Sequence, residues 1–123
     1  MNPILVVDDE KSVRAVIKAA MEYYGYKVTV ACNGKEGLEY FNHGDDIKLV
    51  ITDINMPVMD GIELARAIRN STKSNTPIIA MTAFPGNKDI EGDLFNRVIG
   101  KPFNLASLAK IIGQHLGLST TAS

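Results

Sequence analysis

Acidic residues in this sequence directly follow apolar runs, at the points where predicted strands end. Asp8 and Asp9 come after Ile4–Val7, and Asp53 comes after Leu49–Ile51 and one threonine. Since the carboxyl ends of parallel strands meet at one edge of a sheet, we expect these carboxylates to lie close together. Neighbouring carboxylates repel one another unless a cation lies between them. The pattern therefore predicts a divalent metal site, and an all-oxygen set of ligands favours Mg²⁺ or Mn²⁺.

Two further strand ends carry groups that bind anions. Thr82 and Ala83 follow the run Ile78–Met81, and Lys101 follows the run Val98–Ile99. A hydroxyl, a backbone N–H and an amine beside a metal ion would form a pocket for a dianion such as phosphate. Taken singly, each of these residues also fits an ordinary strand or turn position. Their convergence on one end of one sheet favours a shared phosphate-binding site.

Five short apolar runs, separated by helical patterns, position these residues. The runs are rich in Val and Ile with little polar alternation, which is typical of strands buried on both faces of a parallel sheet. Candidate helix N-caps precede three of the helical segments, at Asn33, Asp60 and Asn104. The alternation predicts an α/β fold with a doubly wound, five-stranded parallel sheet and helices on both faces. Between Phe84 and Asn96, one proline and two glycines predict a fourth helix that is short or irregular.

Length and composition limit the classes of protein that fit. The 123 residues suit one domain, which we expect to span residues 1–118 with a frayed tail at 119–123. The net charge of −1 argues against direct binding to nucleic acid, and the lack of a long apolar run argues against a membrane span. The single cysteine, Cys32, excludes an internal disulfide and suits a cytoplasmic location; we expect its thiol to be buried.

The strand-end residues together resemble one known family. The motifs are the acid pair Asp8-Asp9, Asp53 within DINMPVMDG, Thr82 within MTA, and Lys101 within GKPF. They are similar to those of the receiver domain of two-component response regulators. The resemblance implies a flavodoxin-like sheet with strand order 2-1-3-4-5. It also implies a role in two-component signal transduction, as a phosphoprotein that switches conformation to control an output.

The resemblance implies that Asp53 is the phosphoacceptor. It would take a phosphoryl group from the phosphohistidine of a sensor histidine kinase or a phosphotransfer protein of a phosphorelay. Asp8, Asp9 and Asp53 would hold the Mg²⁺, together with the backbone carbonyl of Asn55. Such a protein is a switch rather than an enzyme with a separate substrate, because it catalyses only its own phosphorylation and dephosphorylation.

Other positions are implied to bind the phosphoryl group and to transmit the signal. Thr82, Ala83 and Lys101 would bind phosphoryl oxygens, and Thr82 would move inward as part of the switch. The peptide bond between Lys101 and Pro102 is expected to be cis.

One position departs from the family pattern. The family carries an aromatic residue three positions before the lysine, and Val98 stands there. Because valine is restricted at χ1 and has no ring, we expect the signal to pass through reordering of residues 84–96 instead. Asn55 and Phe84 occupy positions that flank the phosphoryl group in the family, and we expect them to influence the lifetime of the acyl phosphate.

The resemblance also implies where a partner would bind, and one other function fits part of the pattern. Partner docking is expected at the first helix and the loop after the fifth strand, which contain Arg14, Ile17, Lys18, Pro102 and Phe103.

The alternative function is a Mg²⁺-dependent hydrolase or phosphotransferase that forms an aspartyl phosphate from small molecules. Such enzymes typically carry a second aspartate two positions after the nucleophile. Asn55 occupies that position here, which disfavours the alternative.

Overall fold

The computed structural model describes residues 3–44, 46–83 and 94–116. Within these ranges the elements are β1 (Pro3–Val7), α1 (Lys11–Tyr23), β2 (Lys27–Ala31), α2 (Gly34–His43), β3 (Leu49–Asp53), α3 (Gly61–Arg69), β4 (Ile78–Thr82), β5 (Arg97–Gly100) and α4 (Leu105–His115). The helix expected between Phe84 and Asn96 falls largely outside the described residues. Phe84 itself and the tail at 119–123 also lie outside them.

All five strands pair in parallel, in the order β2-β1-β3-β4-β5. The predicted doubly wound sheet and its strand order are therefore confirmed. Parallel pairing brings the carboxyl ends of the strands to one edge of the sheet. In open α/β sheets this edge is where ligands bind.

Alternate residues of the central strand β1 face two separate cores. Ile4 and Val6 pack with buried residues of α1 and α4, whereas Leu5 and Val7 pack with buried residues of α2 and α3. Because helices cover both faces of β1, the strand needs no alternation of polar and apolar residues. The helices thus lie on both faces, as the alternation of elements predicts.

Side-chain caps fix where three of the helices begin. Asn33 Oδ1 accepts a hydrogen bond of 2.8 Å from the N–H of Glu36 at the start of α2. Asp60 and Glu63 form a reciprocal capping box at the start of α3. The side chain of Asn104 caps α4. These contacts satisfy N–H groups that have no partner inside their own helix, so the predicted caps are confirmed.

Cys32 differs from the prediction. It is exposed, because β2 ends at Ala31 and the chain leaves the sheet before α2 begins. Among the described residues, no helix combines the length and the apolar character that crossing a bilayer requires.

Candidate functional site

Asp8 is the first residue beyond β1 and is fully buried. Its N–H donates to the carbonyl of Ala31 at 3.1 Å, which ties the end of β1 to the end of β2. Its Oδ1 accepts from the N–H of Glu10 at 2.9 Å, and its Oδ2 accepts from Nζ of Lys101 at 3.0 Å. The carboxylate is therefore held in one orientation by two separate elements.

Asp53 is the last residue of β3 and only 8% exposed. Its Oδ1 accepts from the N–H of Ile54 at 2.9 Å, and its Oδ2 lies 3.5 Å from Nζ of Lys101. Because strands β1 and β3 are neighbours, Lys101 bridges two carboxylates that different strands deliver to the same edge. The sequence-predicted convergence of Asp8, Asp53 and Lys101 is present in the structure.

The local charges shift the ionisation of the two central groups. Burial raises the pKa of Asp53; the charge of Lys101 opposes this, while Asp8 and Asp9 reinforce it, and the net effect is upward. Burial alone would lower the pKa of Lys101. The hydrogen bond to Asp8 and the charges of Asp53 and Asp8 outweigh burial, so the pKa of Lys101 lies above its ordinary value. The amine therefore stays protonated at neutral pH.

Three carboxylates lie together in the turn after β1. Ligand oxygens of Asp8, Asp9 and Glu10 are all within 4.8 Å of one another, and the last two side chains are exposed. Clustered carboxylate oxygens at a site open to water suit a hard cation such as Mg²⁺, which keeps several waters in its coordination sphere. The donor set thus fits the predicted metal. Glu10 was not among the predicted ligands, although three consecutive acids signal it in the sequence.

Thr82 ends β4 at the same edge of the sheet and is buried. Its carbonyl accepts from the N–H of Lys101 at 2.8 Å, so the threonine and the lysine occupy adjacent strand ends. Ala83 follows and is exposed. Val98 lies in β5, where it pairs with Ala80 of β4, and it is half-buried beside the small apolar cluster that contains Ala80.

The loop between β3 and α3 approaches the Asp53 backbone closely. A Cβ atom at Gly61 would overlap with the carbonyl oxygen of Asp53, so only glycine fits there. Val58 has a φ of 71°, and the N–H of Met59 donates to the carbonyl of Pro57 at 2.8 Å across it. This is a γ-turn of the rare, strained kind. Asn55 is exposed at the beginning of the loop.

An apolar groove of about 500 Å³ begins at Lys101 and runs between α1 and the chain that follows β5. Val16 lines it and is 53% exposed, while Ile17 lines it but belongs to the core. Phe103 is half-buried and also packs on that core. The Lys101–Pro102 peptide bond is cis, as expected.

The side chain of Arg14, one of the residues in the docking prediction, turns toward the end of β1. Its guanidinium donates to the backbone carbonyl of Asp8 at 2.8 Å. Sequence spacing alone gave no signal for this contact, because a long side chain reaches many positions.

The fold and the site together define a class: a doubly wound α/β domain with buried aspartates, a bridging lysine and a threonine at the carboxyl edge of its sheet. A comparison with known protein families supports this assignment. The response regulator receiver domain family matches residues 4–113 of the chain.

Individual proteins extend the match. An uncharacterized 14.6 kDa protein of Leptolyngbya boryana is 37% identical over 116 residues, covering 91% of this chain and 88% of that protein. The uncharacterized transcriptional regulatory protein YkoG of Bacillus subtilis is 37% identical over 108 residues, covering 85% of this chain but 46% of YkoG. The crystal structure of response regulator TrrA from Thermotoga maritima, in complex with Mg²⁺–BeF, superposes with a TM-score of 0.84 at 34% identity, covering 94% and 99% of the two chains.

The chain belongs to the response regulator receiver domain family. It is thereby a receiver domain of two-component signal transduction, a phosphoacceptor switch. Receiver domains bind Mg²⁺ at an acidic pocket and interact with sensor histidine kinases.

Proposed function

We propose that this chain accepts a phosphoryl group onto Asp53 from a phosphohistidine of a sensor kinase or phosphotransfer protein. The observation that supports this most strongly is the position of Lys101 Nζ, 3.0 Å from Asp8 and 3.5 Å from Asp53. A lysine shared between two buried carboxylates places positive charge where a phosphoryl group on Asp53 would carry its negative oxygens.

The chemical step follows from the state of Asp53. A carboxylate oxygen of Asp53 attacks phosphorus, and the bond between phosphorus and the imidazole nitrogen breaks. The electron pair stays with the imidazole, which takes a proton from solvent, and Asp53 becomes an acyl phosphate. The ionised carboxylate needs no general base, so the surrounding residues act by position and charge.

The residues around Asp53 have separate roles in binding the phosphoryl oxygens and the metal ion. Lys101 remains protonated because of its raised pKa and binds a phosphoryl oxygen. The hydroxyl of Thr82 and the N–H of Ala83 bind the others. Asp8, Asp9 and Asp53, with the carbonyl of Asn55, would hold Mg²⁺, which when bound supplies positive charge to the phosphoryl oxygens.

Phosphorylation then switches the conformation of the domain. The added charge and acceptor oxygens draw Thr82 inward. Because Val98 has no ring, we propose that the change spreads through Leu94–Asn96, the described part of the segment 84–96; residues 84–93 lie outside the described residues. Hydrogen exchange at Leu94–Asn96 should differ between the unphosphorylated and phosphorylated protein, and identical exchange there would contradict this step.

The groove beside Lys101 is the proposed docking surface for the phosphodonor. It is apolar, it reaches the lysine that neighbours Asp53, and exposed Val16 lies along it. We propose a cytoplasmic location because the exposed thiol of Cys32 suits a reducing compartment. The chain spans about half of the length of YkoG.

The function is tested with a small donor. The protein is incubated with Mg²⁺ and a low-molecular-weight acyl phosphate, and its intact mass is measured with time. We expect a single base-labile phosphoryl group that is absent in Asp53→Asn. Turnover of many donor equivalents with no accumulated phosphoprotein would instead indicate a small-molecule hydrolase, which no comparison supports.

A further inference from the structure

The side chain of Arg14 folds back over the turn that joins β1 to α1. Its backbone N–H donates to the carbonyl of Glu10 at 3.1 Å, in the first turn of the helix. Its guanidinium Nη1 donates to the carbonyl of Asp8 at 2.8 Å, and the side chain is half-buried. Arg14 therefore forms hydrogen bonds to both ends of the segment from Asp8 to Glu10, which carries the three clustered carboxylates.

The carbonyl of Asp8 needs such a partner. Strand β1 ends at Val7, so this carbonyl lies beyond the hydrogen-bond ladder of the sheet. The other polar groups of Asp8 are held by Ala31, Glu10 and Lys101. The carbonyl belongs to the peptide that joins Asp8 to Asp9. By fixing that peptide, Arg14 limits the directions in which the Asp9 carboxylate can point.

Geometry and charge at Arg14 act in opposite directions on metal affinity. Three carboxylates within 4.8 Å repel one another, and a hydrogen bond that keeps the turn closed preserves the arrangement of ligands. The positive charge of the guanidinium, in contrast, repels an incoming cation. Removing Arg14 therefore weakens Mg²⁺ binding if its hydrogen bond matters more, and strengthens binding if its charge matters more.

We propose that Arg14 is a positioning residue for the metal site, which pre-arranges the carboxylates of Asp8 and Asp9, two of the proposed Mg²⁺ ligands, through the Asp8 carbonyl. The inference deepens the proposed function and depends on Mg²⁺ binding at these acids. It gives Arg14 a role beside the metal ligands in addition to its predicted place on the docking surface.

The test measures the dissociation constant of Mg²⁺ directly, by following backbone amide signals during a titration of the whole chain. We expect Arg14→Gln to raise this constant about fivefold, the scale of the net contribution of one hydrogen bond. Arg14→Lys keeps the repelling charge but lacks the planar guanidinium, so we expect a rise at least as large as in Arg14→Gln. Lys11→Gln is the matched control, because it removes an equal charge from the same helix. Lys11 is exposed, and its side chain forms no hydrogen bond or ion pair with the described residues.

Three results decide the matter. Arg14→Gln binding Mg²⁺ as tightly as the wild type or more tightly, while urea unfolding shows it folded, overturns the proposal. If Arg14→Gln does not fold, Arg14→Lys with wild-type affinity overturns it. Wild-type protein that binds Mg²⁺ no better than Asp9→Asn would overturn the metal site itself, and with it the proposed function. Phosphorylation by the acyl phosphate should be slower in Arg14→Gln at low Mg²⁺ and recover at saturating Mg²⁺.

Discussion

Asp8 and Asp53 share one cation: Nζ of Lys101 lies 3.0 Å from Oδ2 of the first and 3.5 Å from Oδ2 of the second. The two acids come from neighbouring strands and the lysine from the opposite side of Asp53, across β4. The single lysine side chain thus neutralises part of the negative charge of two carboxylates that parallel strand pairing brings close together. A phosphoryl group on Asp53 would lie close to the same positive charge of Lys101.

Replacing the shared cation should slow phosphorylation. In Lys101→Met, the apolar side chain keeps most of its length but loses the charge that faces Asp53. We expect the rate with a small acyl phosphate at saturating Mg²⁺ to fall about 100-fold, the usual effect of removing one charge-stabilising donor. Lys110→Met is the control, because Lys110 is exposed on α4. A rate in Lys101→Met equal to that of the control would contradict the assigned role.

The raised pKa of Asp53 predicts how stability depends on pH. Because the folded state holds this proton more tightly than the unfolded state, the free energy of unfolding rises as pH falls through the raised pKa toward the ordinary value of 3.8. At neutral pH the ionised Asp53 therefore lowers stability. We expect Asp53→Asn to unfold at higher urea concentration at pH 7 without Mg²⁺, by on the order of 1 kcal/mol. Its advantage over the wild type should shrink as pH falls through that range.

Asp46 provides a control of opposite sign. Its pKa is lowered by the hydrogen bond from Lys48 and by that lysine's charge. Asp46→Asn should leave stability at pH 7 unchanged or reduce it, because the pair is exposed. If Asp53→Asn behaves like Asp46→Asn, the Asp53 carboxylate is not under the electrostatic strain that its burial implies.

Gly61 should be required both for stability and for the position of Asp53. A methyl group at Gly61 overlaps with the Asp53 carbonyl, so Gly61→Ala must change the backbone packing between Gly61 and Asp53. We expect a loss of about 2 kcal/mol in urea unfolding, with slower phosphorylation of the protein that remains folded. Gly25→Ala provides the comparison. Gly25 has a φ of 95° but open space around it, so this change should cost about 1 kcal/mol and leave the phosphorylation rate unaltered. Equal rates in the two variants would count against the backbone contact.

The γ-turn at Val58 should store strain that substitution can release. Val58 combines a positive φ with a side chain that is 74% exposed, so little packing offsets the unfavourable backbone. Asparagine tolerates this conformation far better than a β-branched residue. Val58→Asn should raise the free energy of unfolding by about 1 kcal/mol in urea titrations. Val16→Asn, at an exposed valine with helical backbone, should bring no gain. A destabilised Val58→Asn would show that the turn is not strained.

Much of this architecture follows from patterns that are local in the sequence. Apolar runs without alternation predicted buried parallel strands, and Asn33, Asp60 and Asn104 marked helix starts. Parallel pairing then required the carboxyl ends of β1, β3, β4 and β5 to meet at one edge, which placed Asp8, Asp53, Thr82 and Lys101 there. The strand order came from the family resemblance, since the apolar runs alone do not order the strands.

Other features depend on tertiary contacts that no local pattern records. Arg14 contacts Asp8 because the turn between them closes in one particular way, and a long side chain gives no sign of its direction. Val58 adopts its positive φ against its own preference, because the surrounding loop must return to Asp53 through Gly61. Cys32 is exposed because the chain leaves the sheet one residue earlier than its apolar character suggests.

The central claim is that Asp53 carries the phosphoryl group, and chemical trapping tests it most directly. The protein is phosphorylated with an acyl phosphate and Mg²⁺, reduced with borohydride, digested, and sequenced by mass spectrometry. An acyl phosphate on Asp53 predicts homoserine at position 53 and unmodified aspartate at positions 8 and 9. Homoserine at position 8 or 9, or a phosphoryl group that survives base on another residue, would contradict the account.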